Sequence, residues 1–356
     1  MQRPTAVIGF RQNQKFWREA QVRQVRILKL ALPVLAATLV AGVAFAEPVK
    51  IRVSYVVAPS DWAPLLPEKP ELLKHNGKSY TLEVVRVNGT PALVQAMAAN
   101  EIEIGNHSYS SLGIAIQNAG MDDLRIISDQ FQDGVPGAST TQYFVLKDSP
   151  IQKVEDLKGK VVSSNAAGAA VDIAMRAMLK KHGLEDKRDY THIEAPLPAQ
   201  KAMLLEKKTD LICSVVPFQY DPELREKGRV LFTQRDAFGI TQMIVWTARK
   251  SFIDKNRAAL VDFMEDALRV VRWYLDPANH DEAVQIASRL TKIPPERFSW
   301  LFTAQDYARN GNLMPDMTAL QANVEATRAL GFIRAPIDVN KYADLSIVKE
   351  AAARLK

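Results

Sequence analysis

One unit is written twice in this chain. Residues 94–106, VQAMAANEIEIGN, and residues 200–214, QKAMLLEKKTDLICS, each run from an apolar helix through a short polar turn and an acidic residue into an apolar strand. Helix and strand alternate around both copies. Val49–Val57 and Tyr80–Val87 read as strands before the first copy, with Thr90 as N-cap and Pro91 at the first helical position of a helix over Ala92–Ala99. That helix closes at Asn100, and Ile102–Gly105 follows as a strand. Around the second copy, Lys160–Ser163 reads as a strand and Ala169–Lys181 as a helix ended by Gly183. Ala199–Lys207 and Asp210–Val216 then repeat the helix and strand. Such alternation predicts mainly parallel sheets flanked by helices. Writing it twice predicts two similar α/β lobes in series, which also suits a length beyond that at which single cores stop growing.

The first 46 residues are excluded from this reading. Arg23, Arg26 and Lys29 precede an apolar run from Leu30 to Phe45 that ends in Ala44-Phe45-Ala46. This is the pattern of an export signal cleaved after Ala46. The run is short of the roughly 20 residues that span a bilayer. The long polar stretch ahead of it suggests that translation starts downstream, near Val22 or Val25. The leader holds seven of the 46 basic and one of the 40 acidic side chains, so 39 of each remain in the mature chain. A neutral mature chain argues against a nucleic-acid partner. Cys213 is the single cysteine, which excludes an internal disulfide and a cysteine metal site, and no cysteine follows the leader to carry a lipid. The five histidines lack metal-ligand spacing. No cofactor or metal is expected, and a monomer free in the periplasm is.

Beyond Ala248 the pattern is helical. Leu260, Met264, Ala267, Val271 and Tyr274 share one helix face, as do Ala283, Ile286, Ala287 and Leu290; Met317, Leu320, Val324 and Thr327 mark a third helix that stops at Gly331. These stripes read as packing against the first lobe.

The segment 145–184 contains Asp148-Ser149-Pro150-Ile151, the run Asp156-Leu157-Lys158-Gly159-Lys160, and a helix opened by Gly168. With the paired helix-turn-strand units, it resembles the periplasmic substrate-binding proteins of ABC importers, in particular the nitrate, sulfonate and taurine branch. The resemblance runs from about Lys50 to Tyr220; the family's turn glycine is replaced by Asn100 and Lys208. It implies a two-lobed periplasmic-binding-protein fold of type II with a ligand cleft between the lobes. The chain would cross near 138–143 and near 240–246, giving lobe 1 as 47–138 with 248–356 and lobe 2 as 142–245. It further implies a solute receptor that delivers its ligand to a membrane permease, and no enzyme.

In open α/β sheets ligands bind beyond the carboxyl ends of strands, where helix N-termini offer free amides. Asn106, His107, Ser108, Ser110 and Ser111 occupy such a place in the first lobe; Asn165, Gly168 and Ala169 occupy the matching place in the second. Ser60, Asp61 and Trp62 follow the first strand, Pro217 and Phe218 follow a strand of the second lobe, and Gln142 lies on the first crossing. For Trp62 and Phe218, burial in the core competes with contact to a ligand. Helix ends favour a small organic anion, a sulfonate or carboxylate, aromatic ones included, with Arg235 as candidate counter-charge. Asp61 opposes an anion. With Trp62 and Pro64 it resembles the thiamine-pyrimidine-binding relatives of the family, so a neutral heteroaromatic ligand is the alternative.

Overall fold

A computed structural model of the chain describes residues 47–355. The export leader, its cleavage after Ala46 and the alternative starts lie outside those residues. Among the described residues no helix is long and apolar enough to cross a membrane.

Strand β1 (Val49–Tyr55) pairs in parallel with β2 (Tyr80–Arg86) on one side and with β3 (Ile104–Ser108) on the other. Helices α1 (Thr90–Ala98) and α2 (Tyr109–Asn118) lead into β3 and β4 (Leu124–Asp133) respectively. The chain then crosses to a second sheet made of β5 (Gln142–Leu146), β6 (Lys160–Ser164), β7 (Tyr190–Glu194), β8 (Leu211–Ser214) and β9 (Gly228–Thr233). Helices α3 (Ala170–Lys181), α4 (Gln200–Leu205), α5 (Pro222–Lys227) and α6 (Gln234–Phe238) accompany it. Strand β10 (Thr241–Arg249) returns to the first sheet, and α7 (Lys250–Leu275), α8 (His280–Thr291), α9 (Met317–Ala329) and α10 (Ser346–Arg354) complete the chain.

The sheet orders are β2-β1-β3-β10-β4 and β7-β6-β8-β5-β9. They are one plan: three strands paired in parallel, then an antiparallel strand between the third and the last. In each sheet the antiparallel strand is the one that arrives directly from the other sheet. The two-lobed α/β architecture expected from the duplicated unit is therefore present.

Three expectations are corrected. β10 pairs in the first sheet from Thr241 onward, so the second crossing falls at Gly239–Ile240 and the expected second-lobe range 142–245 takes in five residues too many. Its alternation is hidden because all residues from Thr241 to Ala248 are buried on both faces. Thr90 is the first helical residue of α1, with Gly89 as N-cap. The strand expected at Ile102–Gly105 is β3, shifted along to Ile104–Ser108, so Asn106, His107 and Ser108 belong to the strand itself. A buried strand accepts these polar residues because they find partners. Asn106 N donates to Ser54 Oγ at 2.9 Å, Ser54 Oγ donates to Asn106 Oδ1 at 2.6 Å, and His107 Nδ1 meets Thr247 Oγ1 at 2.8 Å.

The stripe of α7 is buried from Leu260 to Tyr274 and packs with Ile51, Val53 and Trp246 of the first sheet. Helix α10 lies against α7, and α9 against α2 and β10.

Candidate functional site

Beyond the carboxyl ends of β1, β3, β6 and β8 the chain forms a chamber of about 60 Å³. Val56, Val57, Ser60 and Asp61 come from the segment after β1, Ser108 from the end of β3, Asn165 from the turn after β6, and Val215 and Val216 from the turn after β8. Thr90 at the start of α1 and Ala169, Ala170 and Val171 at the start of α3 bring two helix N-termini to the wall. Neither helix has a side-chain cap.

Asp61 sits at the centre of the first-sheet wall. Its Oδ2 accepts from Val56 N at 2.7 Å and Val57 N at 2.9 Å, and lies 3.5 Å from Asn106 Nδ2. Burial pushes its pKa up; the two amides and the field of Arg309 hold it back. Oδ1 has no hydrogen-bond partner among the described residues, and the residue lines the chamber. No Lys, Arg or His among the described residues lines this space.

The expected site residues divide into three groups. Ser60, Asp61, Ser108, Asn165 and Ala169 line the inner chamber, and Asn165 Oδ1 is buried there without a partner. Pro217 and Phe218 line an adjoining outer chamber. The rest serve the fold. Trp62 is fully buried, stacked on Phe302 at 5.4 Å, with Nε1 donating to Gln130 O at 2.9 Å. His107 is buried against Thr247, and burial depresses its pKa to about 3. Ser111 closes a capping box with Ser108. Gln142 is in β5, paired with Ser214 and Thr233, and borders neither chamber. Arg235 donates to the carbonyls of Gly134, Val135 and Ala138, so it ties down the first crossing and is no counter-charge for a ligand.

Ser110 and Gly168 meet each other. Ser110 Oγ donates to Gly168 O at 2.8 Å, joining the start of α2 to the turn before α3. A Cβ on Gly168 would come within 3.1 Å of Ile114 and 3.6 Å of Phe332, so side chains already occupy the space on that side of the backbone. Tyr109 OH donates to Ala170 O at 2.7 Å, and Ser60 Oγ to Val216 O at 2.8 Å. These three bonds latch the two sheets' loops together around the chamber.

Sequence reasoning missed Phe131, Leu197, Met243, Ile244 and Tyr307 of the chamber wall. Tyr307 belongs to the segment between α8 and α9, read from sequence as part of a helical tail. That segment reaches the second sheet, where Tyr307 OH meets Thr141 Oγ1 at 3.0 Å and Trp300 stacks on Tyr220 at 4.8 Å. Arg309 follows it inward. Its guanidinium lies 4.5 Å from the Trp62 ring, Nε donates to Asp306 at 3.0 Å, and both Nη atoms are buried without partners. No sequence signal marks these residues, because their contacts are made across long stretches of chain.

The outer chamber, of about 310 Å³, shares Val56, Val57 and Leu197 with the inner one. Its walls include Tyr55, Pro196, Pro198, Pro217, Phe218 and Ile293. Arg86, at the end of β2, is the one charged side chain lining it among the described residues; it is exposed and makes no ion pair or side-chain hydrogen bond there.

Away from both chambers, His75, Asp262 and Glu265 bring ligand atoms within 4.8 Å of one another. Arg354 pairs with both carboxylates and Arg269 with Glu265, so the group reads as an ion-pair network. Cys213 is buried in β8, its thiol pushed up to about 12, and it lines neither chamber.

A family model described as the NMT1-like family matches residues 45–288. No curated protein matches the sequence. Among solved structures, the alkanesulfonate-binding protein SsuA from Xanthomonas axonopodis pv. citri, bound to MOPS, aligns at 17% identity and TM-score 0.67, covering 84% of this chain and 99% of its own. The periplasmic nitrate-binding protein NrtA from Synechocystis PCC 6803 aligns at 17% identity and TM-score 0.66, covering 87% and 90%. The desulfurization enzyme DSZB aligns at 14% identity and TM-score 0.61, covering 86% and 100%. At these identities the likeness is one of fold.

Proposed function

The chain belongs to the NMT1-like family, and from that premise we propose that it is a periplasmic solute-binding protein that hands a small organic ligand to an ABC transporter permease. The observation that carries this reading is the chamber at the carboxyl ends of four strands, two from each sheet, latched by bonds between them. The sulfonate-binding and nitrate-binding proteins of like fold support it. A receptor reading rather than an enzymatic one is supported by the place of the single thiol, which lies away from the chamber and is pushed up to about 12 by burial, and by the lining of both spaces, which holds no histidine among the described residues.

The inner chamber favours a neutral, donor-bearing group over the anion put first on sequence grounds. An anion 4 Å from an ionised Asp61 is opposed by about 4 kcal/mol at an effective dielectric of 20. Each helix end returns about 0.3–2 kcal/mol. The uncapped ends of α1 and α3 together return about 0.6–4 kcal/mol, so at most they offset the repulsion and an anion has no net gain. A group that donates to Asp61 Oδ1 and accepts an amide from α3 gains from both. The sulfonate or carboxylate reading keeps one observation in its favour, the two uncapped helix ends at the wall.

Thermal-shift screening of alkanesulfonates, carboxylates, primary amides and aminopyrimidines, followed by calorimetry, tests the proposal. The expected result is saturable binding of a neutral donor-bearing compound that Asp61→Asn weakens about tenfold, the loss of a charge-assisted bond. An anion whose binding Asp61→Asn strengthens would select the second reading. No ligand in any class would remove the solute-binding reading.

A further inference from the structure

We infer that the ligand is bipartite: a small neutral donor group enters the inner chamber at Asp61, a flat apolar body fills the outer chamber, and an anionic group on that body pairs with Arg86. The inference rests on the solute-binding reading above and names the class of solute.

Size makes the first division. An apolar cavity of about 150 Å³ holds a benzene molecule. The inner chamber, at about 60 Å³, is too small for a ring and suits a group such as a carboxamide. Its wall matches both edges of that group, with a carboxylate oxygen for the N–H and the N-terminus of α3 for the carbonyl. The outer chamber, at about 310 Å³, has room for a ring. Tyr55, Phe218 and three prolines offer it flat apolar faces. The two spaces meet at Val56 and Val57 on the first-sheet side and Leu197 on the second, which form the neck between them.

Charge makes the second division. The inner chamber has a carboxylate and no cation, while the outer one has a cation and no carboxylate, among the described residues. Among the described residues Arg86 has no anion to pair with, and a guanidinium presents a fork that fits a carboxylate or a sulfonate. A molecule with its anion at the neck's outer side and its neutral donor at the inner side meets both walls with the right sign. The reverse orientation meets both with the wrong one.

The probes are benzamide, 3- and 4-carbamoylphenylacetate, the corresponding carbamoylphenylmethanesulfonates, and the neutral carbamoylphenylacetamides, titrated calorimetrically into the full mature chain. The charged members are expected to bind at least about tenfold more tightly than the neutral diamides at low salt, with an advantage that shrinks as salt rises. Arg86→Gln removes that advantage and leaves benzamide unchanged; Arg86→Lys keeps part of it. Comparing carboxylates with sulfonates settles which anion the fork prefers. A charged advantage that survives Arg86→Gln overturns the inference, and so does failure of every charged member to bind. Binding of ethanesulfonate or nitrate untouched by Arg86→Gln would overturn it while leaving the solute-binding reading standing; no binding by any compound would overturn both.

Discussion

His107 shows how a residue can look functional in sequence and be structural in the fold. In sequence it is a histidine among serines at a strand end. In the structure it is buried in β3, its Nδ1 held by Thr247, and desolvation lowers its pKa to about 3. The unfolded chain takes up a proton near pH 6.5 that the folded chain refuses. The neutral ring's contribution is therefore complete above pH 6.5 and is lost progressively as pH falls toward 3. At pH 5 the cost is about 2 kcal/mol. His107→Gln is expected to flatten the decline in urea-unfolding stability between pH 7 and 5 by that order. A variant with the wild-type slope would show that the ring protonates in the folded state. Asp61 is the opposite case: the segment after the first strand offered it as a carboxylate that would oppose the expected anion, and the structure places it in the chamber wall.

The two copies of the helix-turn-strand unit carry a non-glycine residue in the left-handed region, Asn100 at φ 55° and Lys207 at φ 56°. The position was legible, but the second copy's residue was expected one place later, at Lys208. Asparagine adopts this conformation at lower cost than lysine. Lys207→Gly should raise stability by about 0.5–1 kcal/mol in chemical denaturation, and Asn100→Gly by less. A loss on Lys207→Gly would mean that its side chain contributes more than its backbone costs. Strong periodicity made α3 readable to within a residue, and it made the buried face of α7 readable without its bounds. β10 was not, because a strand buried on both faces has no alternation to read. The segment carrying Trp300, Tyr307 and Arg309 was not either, because its partners Tyr220, Thr141 and Trp62 are remote in sequence.

At the scale of the molecule, the expected lobes, residues 47–138 with 248–356 and the stretch between, are proposed to move as bodies about the two crossings. Their loops are joined by Ser60 to Val216, Ser110 to Gly168 and Tyr109 to Ala170, which makes the described state a closed one. Each such bond contributes about 0.5–1.5 kcal/mol. A Ser60→Ala, Ser110→Ala pair should shift the ligand-free protein toward an open form, read as a larger radius of gyration in solution scattering, with ligand restoring the compact value. Gly168→Val, whose side chain meets Ile114, should open it further. Identical scattering from all variants with and without ligand would argue for a rigid cleft.

The strand order has a consequence for the order in which the molecule is made. β10 lies between β3 and β4, yet it follows the whole second sheet in the chain. A chain that emerges N-terminus first delivers β1 to β4 first, as a sheet split through its middle, and then all five strands of the second sheet. The second sheet can close while the first still waits for its central strand. Until Thr241–Arg249 emerges, β3 and β4 both present unpaired edges, the state most open to pairing with a neighbouring chain.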